Sequence, residues 1–271
     1  MEEPSNEAPL ANAPQPETVY YESDGLKLKA YLYKPQGNGP FPAYLWNHGS
    51  EKNPNNGQKI AKFWLDHGFV LFAPIRSGHG DNPGDYIGDL QKALRQNGLN
   101  RRENAGQTVK LHERANDDVV AAYKWLKGQS FVDPKRIVVA GGSYGGIQTV
   151  LTSERDAREK LGVRAFIPMS PAAMSWKNPV WAVRLSQAVR NSKAPIFLMQ
   201  AQNDYNLGPS EVLGPLVDAK GFPSRHKIFP IHVLPGGDPN DHRQGHGKFF
   251  GDPSAWQADV LQYLKDCGVI R

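Results

Sequence analysis

A chain of 271 residues, 39% of them hydrophobic, can bury one large core. Its 32 lysines and arginines against 27 aspartates and glutamates leave a net charge of +5, with no run of five or six basic residues, which argues against a nucleic-acid-binding surface. The single cysteine, Cys267, excludes an internal disulfide, no Cys/His spacing resembles a zinc site, and no stretch approaches the roughly twenty apolar residues that cross a bilayer.

Residues 1–17 combine four prolines with small and acidic residues and show no periodicity, so a disordered N-terminal tail is expected there, ahead of one catalytic domain over 18–271. The tail holds no signal peptide. Its composition suits the start of a mature exported protein and a cytoplasmic tail equally, so the chain is expected to be soluble with its compartment open. From Thr18 to Tyr33 two alternating runs flank Asp24-Gly25, a hairpin signal. Phe41 to Trp46 predicts a third strand closed by Asn47-His48-Gly49-Ser50, and Asn56 to His67 carries apolar residues at helical spacing up to Gly68. Another buried strand runs from Phe69 to Ile75 and exits into Arg76-Ser77-Gly78. Residues 81–104 are polar and poorly periodic, which reads as a long excursion before a helix from about Ala105 to Lys127.

The apolar run Ile137 to Ala140 then leads into Gly141-Gly142-Ser143-Tyr144-Gly145, which fits G-x-S-x-G. Small residues in that pattern let a strand turn so sharply into a helix that the serine hydroxyl projects above the sheet, a nucleophile elbow. The bland alternative is a serine that merely caps the helix behind it. Further strands are expected at Val163 to Met169, Pro195 to Gln200 and Lys227 to Leu234. Helices are expected near Ser210 to Lys220 and Pro253 to Lys265, and strands alternating with helices imply a mostly parallel sheet covered on both faces.

A serine hydroxyl needs a base within hydrogen-bond reach and a third group to orient that base. Asp204 lies just beyond the carboxyl end of the strand Pro195 to Gln200, where open α/β sheets place their sites, whereas Asp218 falls inside a helix. Of His232, His242 and His246, His246 is favoured as the base, because Gly247 and Phe249-Phe250 can anchor its loop while leaving the imidazole free. Acyl transfer also requires two donors for the oxyanion. The backbone N–H groups of Tyr144 and of Ser50 are the candidates, with His48 as a packing residue of the turn.

These residues resemble the α/β-hydrolase superfamily, in its dienelactone hydrolase-like and prolyl-oligopeptidase-like branch, from about Thr18 to Arg271. The resemblance implies an eight-stranded, mostly parallel sheet with a short insertion, Ser170 to Ser192, after the sixth strand. It also implies hydrolysis of carboxylic esters, lactones or peptides without a cofactor or metal, and a small-molecule ester as partner. The chain departs from the family pattern in having serine where true dienelactone hydrolases have cysteine, in Ala201 where a glycine often precedes the acid, and in lacking a propeller. A peptidase would need a site for a charged terminus, with Arg76 or Glu211 available, and a catalytically silent binding protein is the third reading. Trp176 and Trp181 are expected to wall the substrate pocket from the insertion, with Arg76 also at the substrate; oligomeric state is not readable.

Overall fold

A computed structural model describes residues 14–55 and 57–271. Residues 1–13 of the expected tail lie outside the described residues. Glu17, its last member, already belongs to the first strand.

Eight strands, β1 (Glu17–Ser23), β2 (Leu26–Tyr33), β3 (Phe41–Asn47), β4 (Val70–Pro74), β5 (Val132–Gly142), β6 (Ala165–Met169), β7 (Phe197–Ala201) and β8 (Arg225–Phe229), form one sheet in the order β1-β2-β4-β3-β5-β6-β7-β8. β2 pairs antiparallel with both β1 and β4, and every other pairing is parallel. Seven α-helices accompany it among the described residues: α1 (Gln58–Asp66), α2 (Ile87–Gln96), α3 (Arg101–Lys127), α4 (Tyr144–Glu159), α5 (Pro179–Asn191), α6 (Gly208–Asp218) and α7 (Gln257–Asp266).

The central strands read as continuous apolar runs because both sheet faces are covered, and successive side chains go to opposite layers. On β5, Ile137 and Val139 join a core built with Val120 and Leu126 of α3, Ile147 of α4, Leu185 of α5 and Leu213 of α6. Val138 and Ala140 join the opposite core with Trp64 of α1 and Tyr263 of α7. Trp64 stacks on Tyr44 at 3.7 Å between ring centroids, which fastens α1 to the middle of the sheet.

Three expectations need correction. The stretch 81–104 is not a structureless excursion: Ile87–Gln96 is helical, burying Ile87, and α3 begins at Arg101 behind Asn100, whose side chain accepts from the Arg102 and Glu103 amides in a capping box. The segment 170–192 is mainly a standard crossover helix, α5, started by Asn178 and Pro179 and packed on α4 and α6. Finally, β8 ends at Phe229 and His232 lies beyond it.

Candidate active site

The elbow forms where β5 hands the chain to α4. Ser143 has φ 57° and ψ −116°, a conformation costly for any residue with a Cβ, and its side chain makes no capping hydrogen bond to the helix behind it. The bend is tolerated because its neighbours are glycines in crowded places: a Cβ on Gly145 would run into the Asn47 carbonyl, and one on Gly142 into the Phe250 ring. The backbone is held by the Ser143 amide, which donates to the Met169 carbonyl at 3.0 Å.

Asp204 follows β7 and is 4% exposed. Its Oδ1 accepts from His246 Nδ1 at 2.7 Å and from the Tyr205 amide at 2.7 Å, and its Oδ2 accepts from Gln200 Nε2 at 2.9 Å. A carboxylate that accepts at Nδ1 places the histidine's proton there and leaves Nε2 with its lone pair; Nε2 is buried and has no partner. The turn that carries His246, Gln244–Lys248, is pinned by the buried Phe249 and Phe250. Phe250 packs against the His246 ring at 4.8 Å between centroids and also against Gly142, so the histidine-bearing turn sits directly on the elbow. His242 is exposed, with Nδ1 donating to the Asn203 carbonyl, and His232 faces Asp252 at 3.7 Å; neither reaches Asp204.

Gln200 was not singled out by the sequence reading. Buried at the end of β7, it receives the Ser210 hydroxyl on Oε1 at 2.7 Å and donates from Nε2 to the Asn206 carbonyl and to Asp204. A polar residue closing an otherwise apolar strand was the available signal. Asn203 was missed as well: its side chain donates to the His232 carbonyl and accepts from the His232 amide, at 2.9 and 3.0 Å, joining the loop that carries the acid to the loop that carries the histidine.

The turn after β3 has Ser50 at the surface, where its carbonyl accepts from the Tyr86 hydroxyl at 2.6 Å. Arg76 is not at a substrate-facing position: it is 1% exposed, and its Nη2 donates to the carbonyls of His48 and Gly49. Its guanidinium lies 4.2 Å from the centroid of the Tyr144 ring, and burial pushes that phenol up to about 12. The Arg76 amide donates to His48 Nε2 at 3.1 Å, which fixes the His48 proton on Nδ1, where it donates to the Gly49 carbonyl. Burial first, then the Arg76 charge, hold His48 well below its usual range, His79 at about 4 and His112 at about 3.

Those three neutral histidines set an acid dependence of stability. Below their unfolded value of about 6.5 the unfolded chain binds protons that the native chain refuses, so stability is level above that pH and falls from there toward pH 3. Each histidine contributes at most about 1.4 kcal/mol per pH unit. Urea unfolding at pH 7.5 and pH 5 is expected to give a lower midpoint at pH 5, and His112→Phe, which keeps ring contacts with Tyr144 and Trp181, is expected to shrink that difference.

The two tryptophans part company. Trp181 is fully buried against His112 and the α3–α4 side of the core. Trp176 is half-buried against Gly208 at the start of α6, beside the Asp204 loop. Trp181→Ala is therefore expected to cost roughly 3–5 kcal/mol of stability, read as a lowered urea midpoint. Trp176→Ala, which removes a half-buried ring, is expected to lower Tm by less than Trp181→Ala does. Cys267 is buried and its thiol is pushed up to about 11, mainly by burial, which leaves it protonated at neutral pH. Among the described residues, no helix is long and apolar enough to cross a membrane.

Residues 104–230 match the prolyl oligopeptidase family. Over 205 residues the chain is 24% identical to a protein of Aquifex aeolicus (strain VF5) provisionally named a carboxymethylenebutenolidase, an alignment covering 72% of this chain and 74% of that one. Among solved structures it is similar to Est1E from Butyrivibrio proteoclasticus, determined with ferulic acid bound, at 18% identity and TM-score 0.62, covering 91% of this chain and 99% of that one. It is likewise similar to the acylaminoacyl peptidase of Pyrococcus horikoshii, at 18% identity and TM-score 0.59, covering 86% of this chain and 40% of that one. At such identities the structural likenesses speak for a shared fold.

Proposed function

We propose that the chain is a serine hydrolase of the α/β-hydrolase superfamily, in its dienelactone hydrolase-like and prolyl-oligopeptidase-like branch, and that it cleaves carboxylic esters through an acyl-enzyme on Ser143. The observation that carries this reading is the buried 2.7 Å hydrogen bond between Asp204 and His246, on a turn packed against an elbow whose serine is strained and unused as a cap.

In this mechanism Ser143 Oγ attacks the ester carbonyl carbon and its proton passes to His246 Nε2. Asp204 keeps the imidazole in the tautomer whose Nε2 is free and stabilises the imidazolium that forms. The carbonyl oxygen becomes an oxyanion received by the N–H groups of Tyr144 and Ser50. Collapse breaks the bond to the alcohol, which leaves with the proton from His246. Water then gives a proton to the same nitrogen and attacks the acyl carbon; collapse breaks the bond to Ser143 Oγ, which takes that proton back from His246 as the acid leaves.

The matching family and the acylaminoacyl peptidase likeness favour a second reading, a serine peptidase. Such a peptidase needs a group for a charged peptide terminus. Arg76 has its charge committed beneath the turn after β3, which weakens that reading; Glu211 remains exposed on α6. The name of the Aquifex relative raises lactones as a third substrate class.

A fluorophosphonate probe followed by peptide mass mapping tests the core of the proposal, with the adduct expected on the peptide that contains Ser143. Absence of labelling in folded protein would remove the covalent mechanism. Short p-nitrophenyl esters, matching aminoacyl anilides and simple lactones assayed together separate the substrate readings. Ester turnover more than about tenfold above amide and lactone turnover is expected, and comparable amide turnover would move the assignment to peptidase.

A further inference from the structure

Arg76 is 1% exposed; its Nη2 donates to two backbone oxygens and also lies 3.0 Å from His48 Nδ1. Nε and Nη1 are buried without a partner. A charge taken out of water at this cost, hydrogen-bonded to no carboxylate although Glu51 and Asp118 act on it through space, calls for an account of what it does.

The atoms it grips answer that. Nη2 donates to the His48 carbonyl at 2.9 Å and to the Gly49 carbonyl at 2.6 Å. The Gly49 C=O and the Ser50 N–H belong to the same peptide unit, which is planar, so the two groups point in opposite directions. Whatever holds the Gly49 oxygen therefore aims the Ser50 N–H. That oxygen also accepts from His48 Nδ1 at 2.9 Å, which occupies its second lone pair and fixes the peptide's rotation. A charge-assisted hydrogen bond to the oxygen draws electron density through the amide and makes the N–H at its far end a stronger donor. The same guanidinium lies over the ring of Tyr144, the residue whose N–H is the other oxyanion donor. One buried cation thus touches the peptide or the side chain of both donors.

We infer that Arg76 is a positioning residue for the oxyanion: it aims and polarises the Ser50 N–H through the Gly49 carbonyl, and it places a buried positive charge behind the oxyanion donors. The inference rests on the ester-hydrolase reading above. It predicts an effect confined to states in which negative charge has developed on the substrate oxygen, and so a loss in kcat with little change in KM.

The test uses Arg76→Met and Arg76→Lys in the full chain, with kcat and KM on a p-nitrophenyl ester, Tm, and inhibition by phenylboronic acid. The boron takes up the Ser143 oxygen, whose proton passes to His246, and becomes a tetrahedral anion that mimics the intermediate. In Arg76→Met, kcat is expected to fall on the order of 10²-fold with KM within about threefold of the parent, and boronate affinity to fall in parallel with kcat/KM. Arg76→Lys keeps the charge without the planar fork and is expected to recover part of both losses. A folded Arg76→Met with kcat within threefold of the parent, a loss confined to KM, or an unchanged boronate affinity would each overturn the inference. If Arg76→Met does not fold, Arg76→Lys decides alone, and parental kcat and boronate affinity there overturn it. If neither folds, Arg76 is a structural requirement and the positioning role is abandoned. A parent protein that neither labels with fluorophosphonate nor turns over esters overturns the hydrolase reading instead, before any Arg76 variant is made.

Discussion

Ser143→Ala is expected to abolish ester turnover, with kcat falling on the order of 10⁶ and fluorophosphonate labelling lost, while the protein stays folded. The expectation follows from where the hydroxyl sits. Ser143 occupies φ 57° and its Oγ does not cap α4, so removing that oxygen takes away no hydrogen bond that holds the fold. Alanine has the same Cβ and inherits the same backbone strain, so Tm is expected to stay within a few degrees. Ser143→Gly offers an internal control: it loses the same nucleophile and is expected to gain on the order of 1 kcal/mol in stability, because glycine adopts this conformation without the penalty. A Ser143→Ala protein that retains more than a hundredth of parental kcat would place the nucleophile elsewhere.

Asp204→Asn is the second large effect, a fall in kcat on the order of 10⁴ with the fold retained. Three donors converge on this carboxylate: the Tyr205 amide and His246 Nδ1 on one oxygen, and Gln200 Nε2 on the other. An amide has one acceptor oxygen, so either orientation leaves a donor facing its NH₂ group. Gln200 is itself fixed by Ser210 and the Asn206 carbonyl and has little freedom to reverse. When the NH₂ faces His246, the ring keeps its proton on Nε2 and presents no lone pair to Ser143. When it does not, the negative charge that stabilises the imidazolium is still gone. A parallel drop in the labelling rate by fluorophosphonate, with near-ultraviolet circular dichroism unchanged, distinguishes this from unfolding. An Asp204→Asn protein within tenfold of the parent would mean that His246 is oriented by something else.

The sequence was most legible where local pattern and chemistry coincide. The elbow is written in five consecutive residues, and Asp204 and His246 each stand a fixed short distance past an apolar run or before an aromatic pair, so the chain alone was enough to pair them. The layered sheet was equally readable, because Ile137 to Ala140 can form a strand of this kind only if both faces are covered. Arg76 was not legible. A charged residue leaving a strand reads as a solvent-facing group, and only three-dimensional packing reveals two carbonyls and a tyrosine ring waiting for it. The helix Ile87–Gln96 was missed although Ile87, Leu90 and Leu94 recur at helical spacing, because those ten residues stand between polar, glycine-containing stretches that read as loop. Trp181 was assigned to the pocket wall on its residue type, since sequence does not say which side of α5 faces the core.

The pairing of Asn203 with the backbone of His232 bears on how this scaffold could be rebuilt. Asn203 treats the amide and carbonyl of His232 as a neighbouring strand would, so the loop with the acid and the loop with the histidine are stitched together across 29 positions of sequence. A segment 230–252 transplanted from a relative would carry its histidine into register only if it offered Asn203 the same two backbone groups. The natural unit of exchange in this protein is therefore the stitched pair of loops, and a graft of either loop by itself would part Asp204 from His246.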